Sequence, residues 1–425
     1  MTHPLRVAIV SRAVYPLHGL GGLERSVHDL VKFLETSGLV VTVITRPPAS
    51  LPHRDEKDVE TGETLTTSRA SAVHQFVPYR TFPFAQRRGT TVIDRSTAYP
   101  LFGLRAGRAA WELVRRGEID IVHGFGASVL GYALKRRLAS APLVLNPQGL
   151  EEFGATDPSR ARLKRAAYLP LRWSVLACAR AADAVIATDK ALEPVVMSHL
   201  HVPTERVRVI PNALDLEVVD ALATPADGAR VRRQAGIAED DVVLVSVGRI
   251  EENKGFHVLV AALAALRDHA PRITEGRWRW VLVGDGPFRR RLEIAIADAG
   301  VRDHALLTGR LPDGDLHAWY EAADLFVHPT LYEGSSLVTL EAMAHRRPVV
   351  ATTAGGLPDK VQQGVSGWLV PPGDASALAA AISGALGQPE RLSAMGRAGR
   401  ATVEREFSWA AAGAATLRLY QDLLR

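Results

Sequence analysis

The sequence predicts an α/β protein built from two doubly wound domains, and three observations carry that prediction. Short β-branched runs alternate with longer segments of helical period, the order that builds parallel sheets with helices on both faces. The alternation halts at Ile210-Pro-Asn-Ala-Leu-Asp215, a linker-like break, and then starts again. At 425 residues the chain is too long for one ordinary core. Open parallel sheets take ligands at the carboxyl ends of their strands, so two such domains are expected to face a central cleft and share one site.

The elements follow in order. Strands are expected at residues 7–11, 40–45, 119–123, 143–146, 184–187 and 207–210, each a short run rich in Val, Ile, Leu or Ala. A helix fits residues 23–36, where Val27, Leu30, Val31 and Leu34 share one face. Residues 47–71 are polar without period and read as a surface excursion. After the linker, strands are expected at 242–247, 280–283, 305–308, 325–328 and 348–351. They alternate with helices at 256–268, 288–299, 315–322 and 337–344.

Composition bounds the partners. A chain with 47% hydrophobic and 23% charged residues is globular in type. No early segment has the layout of a signal peptide and no apolar run nears the ~20 residues that span a bilayer, so a cytoplasmic protein is expected. The one cysteine, Cys178, precludes an internal disulfide and sits in an apolar pattern as a small buried hydrophobe. Residues 1–212 hold 28 Lys+Arg against 19 Asp+Glu, net +9, and residues 213–425 hold 23 against 27, net −4, a contrast that suits two separate lobes. Arg160, Arg162, Lys164, Arg165 and Arg172 interleave with Leu163, Tyr168, Leu169, Leu171 and Trp173. Such a face either meets an anionic membrane peripherally, at the inner face, or is simply solvated. No nucleic-acid module or aromatic stacking series is present.

The groups that carry chemistry lie in loops after strands. Glu333 and Glu341 stand eight residues apart, the first in a Gly/Ser loop and the second inside an apolar-periodic helix. Wholly helical spacing would separate them by roughly 12 Å, beyond the ~5–9.5 Å of a hydrolytic carboxylate pair. The pair suits a ligand with two hydroxylated ends and a charged middle resting on the helix N-terminus, which is the shape of a nucleotide-sugar. Arg249 and Lys254, framed by Gly248 and Gly255 at a helix entrance, can clamp a diphosphate, one with a planar fork and one with a point charge. Gly19, Gly21 and Gly22 open the first long helix, either to admit a phosphate or sugar or as a plain tight turn. Gly284-Asp-Gly-Pro287 is similarly a turn or a border of the nucleotide, and Arg310 and Leu311 could meet the base edge. Asp313 and Asp315 read as helix caps in preference to metal ligands. No tightly bound metal or other cofactor is expected, since Arg249, Lys254 and a helix end can neutralise a leaving group.

Together these motifs resemble the retaining nucleotide-sugar enzymes of glycosyltransferase family 4, which have the GT-B fold. The resemblance runs over most of the chain. It is densest from 210 to 374: Pro211-Asn212, Gly248-Arg249 with Lys254-Gly255, Gly284 to Pro287, Ala323-Asp324, Glu333 to Glu341, Gly355-Gly356-Leu-Pro-Asp359 and Ser366 to Asp374. Phe407-Ser408-Trp409 agrees as well. It implies a Rossmann-like acceptor domain at 1–210 and a Rossmann-like donor domain at 211–400, with the helices of about 400–425 packing back on the first. By the same resemblance Glu333 contacts the transferred sugar, Glu341 binds the ribose hydroxyls, and Arg249 and Lys254 hold the leaving diphosphate. Gly334 and the amides of Ser335, Ser336, Leu337 and Val338 complete these contacts, and Gly22 beside Gly21 approaches the diphosphate. The implied reaction is metal-independent transfer to a hydroxyl of a glycan, a lipid-linked intermediate or a small molecule.

Three places depart from the family pattern. Phe125 stands where a histidine is frequent, two residues after His123, and Gln148 stands where another is frequent. His123 is thus carried as a catalytic candidate, with Gln148 and Glu151 as acceptor-region candidates. His345-Arg346-Arg347 replaces a small residue or glycine and is expected to alter a surface turn. The rival readings are a nucleotide-sugar epimerase or a glycan phosphorylase on the same fold, and a non-enzymatic basic binding protein.

Overall fold

The computed structural model describes residues 3–19, 21–48, 72–79, 91–147, 150, 153, 167–267 and 277–425. The chain forms two compact units, Met1–Asn212 with Ala412–Arg425, and Ala213–Ala411. Each is a Rossmann-like α/β domain around a parallel sheet. Gln148, Glu151, residues 49–71 of the polar stretch, and Arg160, Arg162, Lys164 and Arg165 of the basic run lie outside the described residues.

In the first unit the strands are β1 (Arg6–Val10), β2 (Val40–Thr45), β3 (Val73–Phe76), β4 (Ile121–Phe125), β5 (Leu143–Asn146), β6 (Ala184–Ala187) and β7 (Val207–Val209). They lie in the order β3-β2-β1-β4-β5-β6-β7, all parallel. β4 and β5 are buried along their whole length, as central strands covered on both faces must be. The helix Gly22–Thr36 buries Val27, Leu30, Val31 and Leu34, the face its spacing marks. β4 begins two residues later than expected because Asp120 is spent on Arg6, accepting from its backbone N at 2.9 Å and its Nε at 3.1 Å. Cys178 is fully buried in the helix Leu169–Ala181, and burial pushes its thiol up.

In the second unit β8 (Val242–Val247), β9 (Trp278–Val283), β10 (Ala305–Gly309), β11 (Leu325–His328), β12 (Val349–Thr352) and β13 (Gly367–Val370) form a parallel sheet in the order β10-β9-β8-β11-β12-β13. Alternate residues of β8 feed two cores. Val243, Val245 and Val247 pack with Phe326 and Leu340, and Val242 and Leu244 with Trp278, Trp280 and Leu282. The short edge strands β3 and β13 are not anticipated by pattern: β3 is half-buried throughout, so its side chains show no alternation. Asp313 and Asp315 do not cap their helix, which runs Asp313–Ala322 with Pro312 at the cap position. They lie in its first turn, where negative charge still favours the helix dipole, and Asp315 pairs with Arg230 at 3.1 Å. No helix among the described residues is long and apolar enough to cross a membrane.

Candidate functional site

Strand order reverses between β1 and β4 in one sheet and between β8 and β11 in the other. Just beyond the carboxyl ends of such a strand pair, the two loops diverge and leave a crevice. In the second unit that place is bounded by residues 248–255 after β8 and 329–336 after β11. Three hydrogen bonds converge on the Asn253 carbonyl and stitch the loops together, from Leu331 N at 2.8 Å, Thr330 Oγ1 at 3.1 Å and Tyr332 N at 3.3 Å. Gly255 permits the close approach: its φ is 68°, and a Cβ there would run into the Pro329 carbonyl. Gly355 does the same from the other side, with φ 54° and a virtual Cβ against the Glu333 carbonyl.

The stitching sets Lys254 against Glu333. Lys254 Nζ donates to Glu333 Oε2 at 2.9 Å, and His328, the last residue of β11, donates from Nε2 to the same oxygen at 2.8 Å. The Gly334 amide donates to Oε1 at 3.2 Å. Burial would push the Glu333 carboxyl up, but the Lys254 charge and the His328 hydrogen bond overrule it and hold the group well below the usual carboxylate range. Burial pushes His328 down despite Glu333, and its Nδ1 is buried with no hydrogen-bond partner among the described residues. Glu333 is therefore an ionised, clamped carboxylate. It is not a base waiting for a proton.

The helix Leu337–Ala344 starts next to it. Ser336 is its N-cap and accepts from Thr339 N at 3.3 Å, which leaves the Leu337 and Val338 amides at the helix mouth. Ser335 Oγ is buried with no hydrogen-bond partner among the described residues. Further along, Glu341 Oε2 accepts from the Tyr320 hydroxyl at 2.8 Å. Arg249 is 70% exposed and reaches back to Glu251 at 2.6 Å, so it is not drawn into the Lys254–Glu333 cluster. Gly284 N bonds the Gly309 carbonyl at 2.9 Å, tying the ends of β9 and β10, with Arg310 exposed and Leu311 packed on the core.

In the first unit Gly21 is the exposed N-cap, and Gly22 the first residue, of the helix Gly22–Thr36. His123 is 2% exposed. Its Nδ1 meets Tyr420 Oη at 2.7 Å, its ring stacks on Phe125 at 5.0 Å, and its Nε2 is buried with no partner among the described residues. Burial lowers its pKa to about 3. Through the Tyr420 contact His123 ties the C-terminal helix to the sheet. Of the basic amphipathic run, Leu169 and Trp173 are exposed and Tyr168 and Leu171 are buried.

Two further residues of the site escaped the sequence. His328 had one legible signal, a histidine closing a strand just before Pro329. Tyr320 had none, because 21 residues separate it from the carboxylate it meets. The segment 345–347 is a turn with Arg346 exposed at φ 57°, but its first residue faces inward. His345 is 3% exposed, its Nδ1 lies 2.6 Å from Glu321 and its Nε2 2.7 Å from His317 Nδ1.

Two parallel-sheet units, one with a cation–carboxylate cluster at its switch point, define a two-domain α/β protein of Rossmann-like type. The chain belongs to the glycosyltransferases. Residues 20–218 match the model for Glycosyltransferase Family 4 and residues 228–402 that for Glycosyl transferases group 1. It is 31% identical over 324 residues to D-inositol 3-phosphate glycosyltransferase 1 of Catenulispora acidiphila, covering 72% of this chain and 73% of that protein. It is 27% identical over 420 residues to the glycogen synthase of Mycobacterium tuberculosis, covering 98% and 94%. Other matches are partial. That to the 2-deoxystreptamine glucosyltransferase of Streptomyces kanamyceticus is 32% identical and spans 60% of this chain and 63% of that protein. The fold matches the sucrose-phosphate synthase of Thermosynechococcus elongatus with a TM-score of 0.76 at 25% identity over 99% of both chains, so it is of the GT-B type.

Proposed function

We propose that the protein transfers a sugar from a nucleotide-diphosphate sugar to a hydroxyl of a glycan, a lipid-linked intermediate or a small molecule, with retention of anomeric configuration and without a metal. The observation that carries this reading is the Glu333 carboxylate clamped between Lys254 and His328 at the mouth of the Glu341 helix. Lys254 carries three ammonium protons and gives one to Glu333, so others are available to diphosphate oxygens. Arg249, exposed on the same loop, swings from Glu251 to the diphosphate as a second cation. Glu333 then orients the sugar hydroxyls, Glu341 takes the ribose, and the buried Ser335 hydroxyl gains a partner.

In the reaction the bond from the anomeric carbon to the diphosphate oxygen breaks. The acceptor oxygen attacks from the same face, and its proton passes to the departing diphosphate. Charge on the leaving group is what the site must stabilise, so Lys254 and Arg249 carry the main load. The test is to incubate the protein with UDP-, GDP- and ADP-sugars and follow donor consumption and product configuration by proton NMR. At least one donor should be consumed with the configuration kept, and Glu333→Ala should slow it. Inversion would refute the stereochemical part. No consumption, with Glu333→Ala indistinguishable from the parent, would refute the whole.

A further inference from the structure

Tyr320 is fully buried in the helix Asp313–Ala322, and its hydroxyl donates to Glu341 Oε2 at 2.8 Å. The phenol is the donor and the carboxylate oxygen the acceptor. Three rings wall the phenol in: His345 stacked at 5.6 Å and 11°, His317 edge-on at 5.6 Å, and Phe326 tilted at 5.7 Å. The wall is itself fastened. His345 is held by Glu321 and His317, and Glu321 also takes Arg347 at 2.7 Å. His345 moreover caps the helix that carries Glu341, its amide donating to the Glu341 carbonyl at 3.0 Å. A glutamate side chain left to itself samples several rotamers and loses that freedom when it binds. Here the freedom is removed before any ligand arrives.

We propose that Tyr320 is a positioning residue that presets Glu341 for a vicinal diol and so makes the site prefer ribonucleotides to deoxyribonucleotides. The proposal rests on the reading of Glu341 as the ribose-binding carboxylate. A buried phenol needs an acceptor whatever its function, so the experiment must separate packing from positioning. The readout is the ratio of affinities for a nucleoside diphosphate and its 2′,3′-dideoxy counterpart, measured by calorimetry on the full chain with UDP, GDP and ADP as probes.

Tyr320→Phe keeps the ring and removes the hydroxyl. It should weaken the ribonucleotide about 5- to 10-fold and leave the dideoxynucleotide within about twofold, because only the former uses the preset carboxylate. Equal weakening of both, or of neither, overturns the positioning role. Glu341→Ala is the control for the underlying reading and should make the two affinities converge. If Glu341→Ala keeps the full ribose preference, the reading of Glu341 fails and the proposal with it. If it abolishes the preference while Tyr320→Phe does not, only the proposal fails. Should Tyr320→Phe not fold, His345→Gln, which releases the stack and keeps the phenol, is read by the same ratio.

Discussion

At the scale of single residues, the site depends on charges that are paired before any substrate arrives. Lys254 and Glu333 have side chains only 20% and 12% exposed, so removing one partner strands the other. Lys254→Met should cost about 2 kcal/mol in urea unfolding, and adding Glu333→Gln should recover most of it. A double variant no more stable than Lys254→Met would show that the pair is not coupled. His123 makes a different prediction. Its folded pKa of about 3 lies below the ordinary 6.5. The unfolded chain therefore binds the proton first, and stability falls as pH drops below 6.5. By pH 5 this group alone should withdraw about 2 kcal/mol. His123→Gln should flatten the melting temperature between pH 7 and 5 relative to the parent, and parallel curves would contradict the assignment.

At the scale of elements, glycines decide where loops meet. Gly355 holds a left-handed φ of 54° against the Glu333 carbonyl. Gly355→Ala should cost about 2 kcal/mol or more, from strain plus a displaced loop, and should slow donor turnover. An alanine variant with the parent's melting temperature and turnover would remove the loop contact from the account. The elements also show why legibility was uneven. Lys254, Glu333 and Glu341 each sit at a local signal, a glycine-flanked loop or a helix entrance after a strand, and that is what marks them as candidates in the sequence. Tyr320 joins the site through a contact 21 residues away that chain spacing does not encode, whereas His328 lies only five residues before Glu333. The edge strand β3 was missed because its half-buried residues carry no alternation. In the turn 345–347 Arg346 is exposed as its polarity suggests, and only His345 departs, because Glu321 and His317 give it partners inside the core.

At the scale of the whole molecule, two sheets of the same winding come from one repeated logic. Buried β-branched strands demand helices on both faces, and each reversal of strand order opens a crevice at the strand ends. The sequence break at 210–215 falls where one unit gives way to the next, and the chain's last residues belong with the first unit. The cation–carboxylate cluster belongs wholly to the second unit, whereas in the first unit Gln148 and Glu151 lie outside the described residues and His123 is buried. The most direct test is a crystal structure of the protein with a nucleotide-diphosphate sugar bound. The account predicts diphosphate oxygens within hydrogen-bond distance of Lys254 and Arg249, the sugar on Glu333 and the ribose hydroxyls on Glu341. A nucleotide bound elsewhere, with Lys254 still closed on Glu333, would contradict it.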